Sequence, residues 1–146
     1  SVANFTPEDE KFEIGKIYTL NEGTDVTLIA CGHLVWEALQ AAEILESKGI
    51  SAEVLNVATI KPLDEETLLA SIRKTRCAVV AEEHNMAGGL GEAVAGTLAL
   101  KEACPLEFVN GADRFGQSGT PSELMAAYGL NAESIVEHAL KVIGRK

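Results

Sequence analysis

The sequence predicts an α/β fold in which a largely parallel β-sheet is covered by helices on both faces. From residue 26 onward, short apolar runs alternate with segments of helical periodicity, and this alternation is typical of βα units that build such a sheet. The chain has 146 residues, a length that suits one domain with one hydrophobic core. We therefore expect a single domain over residues 1–146, with residues 1–15 as an N-terminal extension or linker.

The first elements are predicted from β-branched composition and from turn residues. Residues 17–20 can add an antiparallel edge strand, joined by a hairpin to a buried strand at residues 26–30. The helix that follows ends at Gly49, which suits a left-handed cap, and residues 52–57 form the next strand. The side chains expected on the inner face of this helix are Val35, Ala38, Leu39, Ala42 and Leu45.

The second half of the chain continues the alternation. Asp64 is predicted to cap the second helix, and strands at residues 77–81 and 106–109 flank a third helix that runs to about residue 101. Thr120 and Glu123 form a capping box for a further helix, and Asn131 is predicted to cap the last one. The side chains expected to face the core are Leu68, Leu69, Ile72, Leu90, Val94, Leu98, Ile135, Val136, Ala139, Leu140 and Ile143.

Composition excludes several classes of partner. Apolar residues make up 47% of the chain and charged residues 23%, which is typical of a soluble globular protein. The formal net charge of −10 argues against a nucleic acid or an anionic membrane, because phosphates bind clustered Lys and Arg. Three widely spaced cysteines without a Cys-x-x-Cys motif favour reduced thiols. No apolar run approaches the roughly 18 residues of a membrane span, so we expect a cytoplasmic protein.

Chemistry is expected beyond the carboxyl ends of the strands, where open parallel sheets bind their ligands. The glycine-rich residues 88–91 follow a strand and precede a helix, which is the order required for an anion at a helix N-terminus. However, they form neither Gly-x-Gly-x-x-Gly nor a Walker motif, and Glu82 and Glu83 just upstream would repel a phosphate. A structural glycine turn is favoured over a phosphate cradle.

Three other groups of residues are candidates for catalysis or metal binding. Cys31 and His33 resemble a nucleophile and its base, but Gly32 interrupts the strand between them, and a buried thiol is favoured. No His-x-x-x-His pattern is present, so no metal site is predicted. Glu82, Glu83 and His84 form the one cluster of acid–base residues in a single loop. Such a cluster could serve as a proton relay through His84, and a solvated or subunit-contact loop is favoured over that relay.

Five segments, taken in order along residues 12–130, resemble the transketolase C-terminal domain family. They are residues 23–32, 41–45, 59–64, 82–84 with 88–91, and 113–116 with 118–119. The resemblance implies a three-layer α/β/α domain with a five-stranded, mostly parallel sheet and one antiparallel strand. It also implies the C-terminal, non-catalytic domain or subunit of a split or full-length transketolase, which uses thiamine diphosphate to transfer ketol groups between sugar phosphates.

In this family the N-terminal pyrophosphate-binding and pyrimidine-binding parts hold thiamine diphosphate and Mg²⁺. The resemblance therefore implies that this chain alone binds neither group and is inactive. The expected partners are those N-terminal parts and a second copy in a homodimer, without nucleic acid or membrane. The residues expected to form a structural or interface loop rather than a catalytic site are Glu82, Glu83, Gly88, Gly89, Gly91, Asp113, Arg114 and Phe115.

Two alternatives stay open. The C-terminal domain of 1-deoxyxylulose-5-phosphate synthase resembles this chain in the same segments, although residues 113–121 are more similar to split transketolases. A stand-alone module that binds a small metabolite or an anion would use the same glycine-rich turn.

Overall fold

The computed structural model describes residues 15–32, 34–60, 62–82, 89–110 and 132–146. The predicted helix after Thr120 and the predicted cap at Asn131 lie outside these segments. None of the helices in the described segments is long and apolar enough to cross a membrane. In chain order the described elements are β1 (Ile17–Asn21), β2 (Val26–Ala30), α1 (Leu34–Ser47), β3 (Ala52–Val57), α2 (Glu65–Thr75), β4 (Ala78–Glu82), α3 (Leu90–Lys101), β5 (Leu106–Asn110) and α4 (Ala132–Ile143).

The five strands form one mixed sheet in the order β1-β3-β2-β4-β5. Strands β3, β2, β4 and β5 run parallel to one another, and β1 pairs with β3 in the antiparallel direction. The predicted mostly parallel sheet with one antiparallel strand is thereby confirmed. Every residue of β2, β3 and β4 is buried, which explains why these strands are almost continuously apolar in the sequence.

The predicted hairpin between the first two strands is wrong. Strand β1 pairs with β3, with Ile17 opposite Val57, because β3 and β4 already occupy both edges of β2. The connection from β1 to β2 passes across the start of β3, where the Gly23 N–H donates to Glu53 Oε1 at 3.0 Å. A Cβ at Gly23 would overlap the main chain of Ala52 and Glu53, so this crossing requires glycine.

Helices cover both faces of the sheet. Helices α1 and α4 pack on one face with the side chains of Val26, Leu28 and Ala30, and helices α2 and α3 pack on the other face with Ile29, Leu55 and Val80. The predicted inner faces are confirmed except for α4, where Leu140 is 42% exposed and Val142 is buried instead. Leu140 follows Ala139 directly, and adjacent positions on a helix point about 100° apart.

A buried hydroxyl cluster joins β2 to α2. The Thr27 hydroxyl lies 2.8 Å from that of Ser71 and 2.6 Å from that of Thr75. Thr75 Oγ1 also lies 3.2 Å from the Ser71 carbonyl oxygen. Because buried polar groups are costly unless they are hydrogen-bonded, this cluster allows a threonine in the central strand and holds α2 over it.

Asp64 caps α2 and ties it to the edge strand. Its Oδ1 accepts from the Thr67 N–H at 3.2 Å, and its Oδ2 accepts from the Ile17 N–H at 3.0 Å. Partial burial of Asp64 acts to raise the pKa of its carboxyl, but the hydrogen bonds from Ile17 and Thr67 outweigh that effect and lower it. The predicted cap is therefore confirmed, with an additional link to β1.

Replacing Asp64 with alanine should lower the free energy of unfolding by about 1–2 kcal/mol at neutral pH, the usual effect of losing an N-cap. Because the folded pKa is depressed, the carboxylate stabilises the fold above its unfolded pKa. That contribution disappears as the pH falls through the folded value. Urea unfolding from neutral to acidic pH should show the two proteins converging at low pH. Glu66→Ala, at an exposed position in the same helical turn, should change little.

Candidate functional site

The candidate site lies where β4 ends and α3 begins, at the carboxyl edge of the sheet. Glu82, the last residue of β4, is 8% exposed. Its Oε1 accepts a hydrogen bond of 2.8 Å from the main-chain N–H of Gly91 in the first turn of α3. The N-cap residue of α3 is Gly89, which has no side chain to cap the helix. Glu82 therefore supplies the acceptor and the negative charge that a helix N-terminus requires.

Gly91 makes this contact possible. A Cβ at Gly91 would overlap Oε1 of Glu82 and would lie 3.3 Å from Cε1 of Phe108 on β5. Phe108 is 41% exposed, so the first turn of α3 sits between a buried carboxylate and an exposed ring. Glycine here allows the close approach of these side chains and is not explained by backbone conformation, since Gly91 does not have a positive φ.

The second oxygen of Glu82 is buried and has no hydrogen-bond partner among the described residues. Burial raises the pKa of Glu82, hydrogen bonds from the Gly91 and Leu90 amides oppose that shift, and the charge of Glu92 adds to it. Glu82 therefore takes up a proton more readily than an ordinary glutamate.

The carboxylate occupies the position that a bound anion would take at the N-terminus of α3. A phosphate could reach the amide of Gly91 only by displacing Glu82. Of the loop residues proposed from the sequence, Glu82, Gly89 and Gly91 lie together at this point. The other predicted loop residues lie outside the described segments, and their role stays a prediction; they are Glu83, His84, Gly88, Asp113, Arg114 and Phe115.

The remaining candidates do not gather around Glu82. Cys31 follows β2 and is half-buried, while His33 lies outside the described residues. Cys77 and Cys104 pack on opposite faces of the sheet, and burial raises the pKa of both thiols. Within the described segments, no group of three or more His, Cys, Asp or Glu side chains could hold a metal ion.

The sequence did not predict the structural roles of two acidic residues, one half-buried and one buried. Oε1 of Glu37 on α1 accepts from the Ala132 N–H at 2.9 Å and thus caps α4, which is 95 residues away in the chain. Glu53 on β3 is buried and accepts from Lys74 Nζ at 2.5 Å. No sequence signal indicates the partner of Glu37, whereas an acid within the apolar strand 52–57 is a signal that could have singled out Glu53.

Glu53 also lines a cleft of about 400 Å³ between β1 and α2. Most of the residues that line the cleft have polar side chains, and the Glu53 carboxylate in it already accepts hydrogen bonds from Lys74 and Gly23. The side chains around it are Thr19, Glu22, Glu53, Thr67, Ala70, Ser71 and Lys74.

The fold and this strand-end site define a three-layer α/β domain with a mixed sheet and a self-capped helix at its carboxyl edge. The model of the transketolase C-terminal domain matches residues 15–135. The chain belongs to the transketolase C-terminal domain family.

Among its relatives, the chain is 47% identical over 139 residues to a 6-deoxy-6-sulfo-D-fructose transketolase subunit of Clostridium sp. strain MSTE9, covering 95% of this chain and 43% of the relative. It is 46% identical over 138 residues to a putative transketolase C-terminal section of Methanocaldococcus jannaschii, covering 92% and 42%. A solved structure described as a split-gene transketolase, inactive β4 tetramer, superposes with a TM-score of 0.89 at 44% identity, covering 96% and 46%. The chain thus spans less than half the length of these relatives.

Two glycines of α3 should respond in opposite directions to alanine. Gly91→Ala should lower the free energy of unfolding by about 1–3 kcal/mol, because the new methyl group overlaps Glu82 and crowds Phe108. Gly96→Ala should raise it by about 0.5–1 kcal/mol, because alanine favours the helix and the added Cβ meets no described atom within 4 Å. Denaturant unfolding at low protein concentration compares the two. Equal effects would contradict the packing assigned to Gly91.

Proposed function

We propose that this chain is the C-terminal, non-catalytic part of a cytoplasmic transketolase that depends on thiamine diphosphate. Its role is to complete the enzyme and to support subunit association. Ketol transfer between sugar phosphates then takes place in the N-terminal pyrophosphate-binding and pyrimidine-binding parts. The chain by itself is inactive.

The observation that carries this proposal is the way in which the chain matches its relatives. Nearly its whole length corresponds to less than half of a transketolase subunit in one relative and of a transketolase C-terminal section in another. A chain with this relationship is one part of a larger catalyst. Two relatives are named for different sugars, 6-deoxy-6-sulfo-D-fructose and apulose 4-phosphate. We therefore propose ketol transfer and do not assign a particular sugar substrate to this chain.

Three of the four described helix N-termini do not fit the diphosphate of thiamine diphosphate. A diphosphate binds to free amides at a helix N-terminus or to Mg²⁺ held by oxygen ligands. In this chain the N-termini of α2, α3 and α4 hold the carboxylates of Asp64, Glu82 and Glu37. We therefore assign the cofactor and its Mg²⁺ to the other parts of the enzyme.

The strand-end loop is proposed to contact those other parts. The hydrogen bond between Glu82 and Gly91 joins the residues on either side of the predicted loop, so its two ends are held together. Glu83 and His84 follow Glu82 directly in the chain. This placement suits a contact between subunits, with His84 as an auxiliary proton carrier in the complete enzyme.

A 1-deoxyxylulose-5-phosphate synthase is the alternative enzyme. A synthase of Desulforudis audaxviator is 40% identical over 128 residues, but this chain spans only 20% of its length.

The proposed partners of this chain are other subunits of the enzyme. Like the split-gene tetramer described above, the chain is expected to associate with copies of itself as well as with an N-terminal half.

The isolated chain should neither bind thiamine diphosphate nor transfer ketol groups. Calorimetric titration with thiamine diphosphate and Mg²⁺ should show no heat of binding, because the N-termini of α2, α3 and α4 already hold carboxylates and the proposal assigns the cofactor to the other parts of the enzyme. Mixing the chain with its N-terminal half should produce cofactor binding and ketol transfer. Micromolar affinity in the chain alone, or an inactive mixture in which both halves are folded and associated, would contradict the proposal.

His84→Ala in the complete enzyme should slow turnover by no more than about tenfold, equivalent to about 1.4 kcal/mol of barrier. This small effect is expected because His84 is proposed to contact another part of the enzyme and to carry protons only in an auxiliary role. Steady-state kinetics should be measured alongside cofactor affinity and assembly size. If turnover disappears while cofactor binding and assembly are intact, His84 is a catalytic residue.

A further inference from the structure

Helix α3 presents an uncharged face to its surroundings. Its inner side is buried through Leu90, Gly91, Val94 and Leu98. On the outer side Gly96, Ala99 and Leu100 are exposed, and Leu100 has 86% of its surface exposed. The charged residues of α3 stand at its ends: Glu92 lies four residues before Gly96, and Lys101 forms an ion pair with Glu65 of α2. A surface helix ordinarily carries charged or polar side chains on its outer face, so this face resembles a covered one.

Gly96 in the middle of this face has no explanation within the described part of the chain. Glycine is the least favourable residue in a helix interior apart from proline. Gly96 does not have a positive φ, and a Cβ there would meet no described atom within 4 Å. Neither backbone conformation nor internal packing therefore requires glycine. What it does permit is the close approach of another molecule to the helix.

We propose that the outer face of α3 binds the same face of a second copy of this chain, with the two helices antiparallel about a two-fold axis. Gly96 and Leu100 are four residues apart and thus lie on one side of the helix, one turn from each other. A two-fold interface must be self-complementary. In this packing Leu100 of each copy lies over Gly96 of the other, so one patch supplies both the projecting side chain and the space that receives it.

Charge favours this face and this direction. The chain has a net charge of −10, so two copies repel each other wherever acidic surfaces meet. The outer faces of α1 and α4 carry exposed acids at Glu43, Glu46, Glu133 and Glu137, whereas α3 has no charge between its ends. An antiparallel pairing also places the two Glu92 side chains at opposite ends of the interface and opposes the two helix dipoles.

The inference rests on the subunit association in the proposed function, and its first test is the size of the chain in solution. Leu100→Glu should raise the dissociation constant of the self-associated chain by at least about tenfold, because the two-fold axis puts two unpaired carboxylates in the interface. Leu140→Glu is the matched control, since Leu140 is a partly exposed leucine of α4 on the other layer, and it should leave the constant unchanged. Sedimentation velocity across a concentration series measures both.

A monomeric wild-type chain at high concentration, or equal dissociation constants for the two variants, would overturn the inference. Circular dichroism confirms that each variant is folded, which is expected because both leucines are exposed.

Disulfide cross-linking tests the direction of the helices. Chains with Gly96→Cys are mixed with chains carrying Leu100→Cys and oxidised, with the wild-type chain as the background for its own cysteines. The mixture should form more cross-linked dimer than either variant alone, since residue 96 of one copy faces residue 100 of the other. Preferential cross-linking of Leu100→Cys with itself would indicate parallel helices and contradict the proposed packing. No cross-link above background would contradict the interface.

Binding of the N-terminal half distinguishes a failure of this inference from a failure of the proposed function. Leu100→Glu should abolish self-association and still bind the N-terminal half. If it instead loses the N-terminal half and keeps its self-association, the α3 face belongs to that half, and this inference fails while the proposed function stands. If the mixture of folded halves shows no ketol transfer while Leu100→Glu still dissociates the chain, the proposed function fails and the interface remains.

Discussion

Strand β2 is buried at all five of its residues, because β3 and β4 flank it in the sheet and helices cover both of its faces. Burial of this strand constrains the rest of the domain. Its apolar side chains hold α1 and α4 on one face and α2 and α3 on the other, and its one hydroxyl, on Thr27, must find a partner away from water. The hydroxyls of Ser71 and Thr75 are its partners. The hydrogen-bonding requirement of the Thr27 hydroxyl therefore helps to fix the position of α2 over β2.

Carboxylates at helix N-termini are the second organising feature. Asp64 caps its own helix, whereas Glu82 and Glu37 cap helices that belong to other parts of the fold. Each contact neutralises amides that have no partner within the helix and joins two elements at once. The cap formed by Glu82 lies at the carboxyl edge of the sheet, where open parallel sheets bind their ligands. In this chain the carboxylate of Glu82 already occupies the N-terminus of α3 at that edge.

Helix α3 connects the two surfaces to which we assign partners. Its first turn is held by Glu82 and Phe108 through Gly91, beside the loop proposed to contact the N-terminal half. Its outer face, with Gly96 and Leu100, is proposed to meet a second copy. One helix thus carries both proposed contacts.

The sequence by itself determined the element order, the buried strands, the Asp64 cap, the inner faces of α1, α2 and α3, and the family, because periodicity, capping and motif order are properties of neighbouring residues. Tertiary structure decided what depends on residues far apart in the chain. Strand β1 pairs with β3 instead of β2 because both edges of β2 are occupied. Glu37 reaches a helix 95 residues away, and Gly91 is required by Glu82 and Phe108, which come from two different strands. Local sequence records that a helix end needs an acceptor, but only the folded chain determines which carboxylate is near enough to provide it.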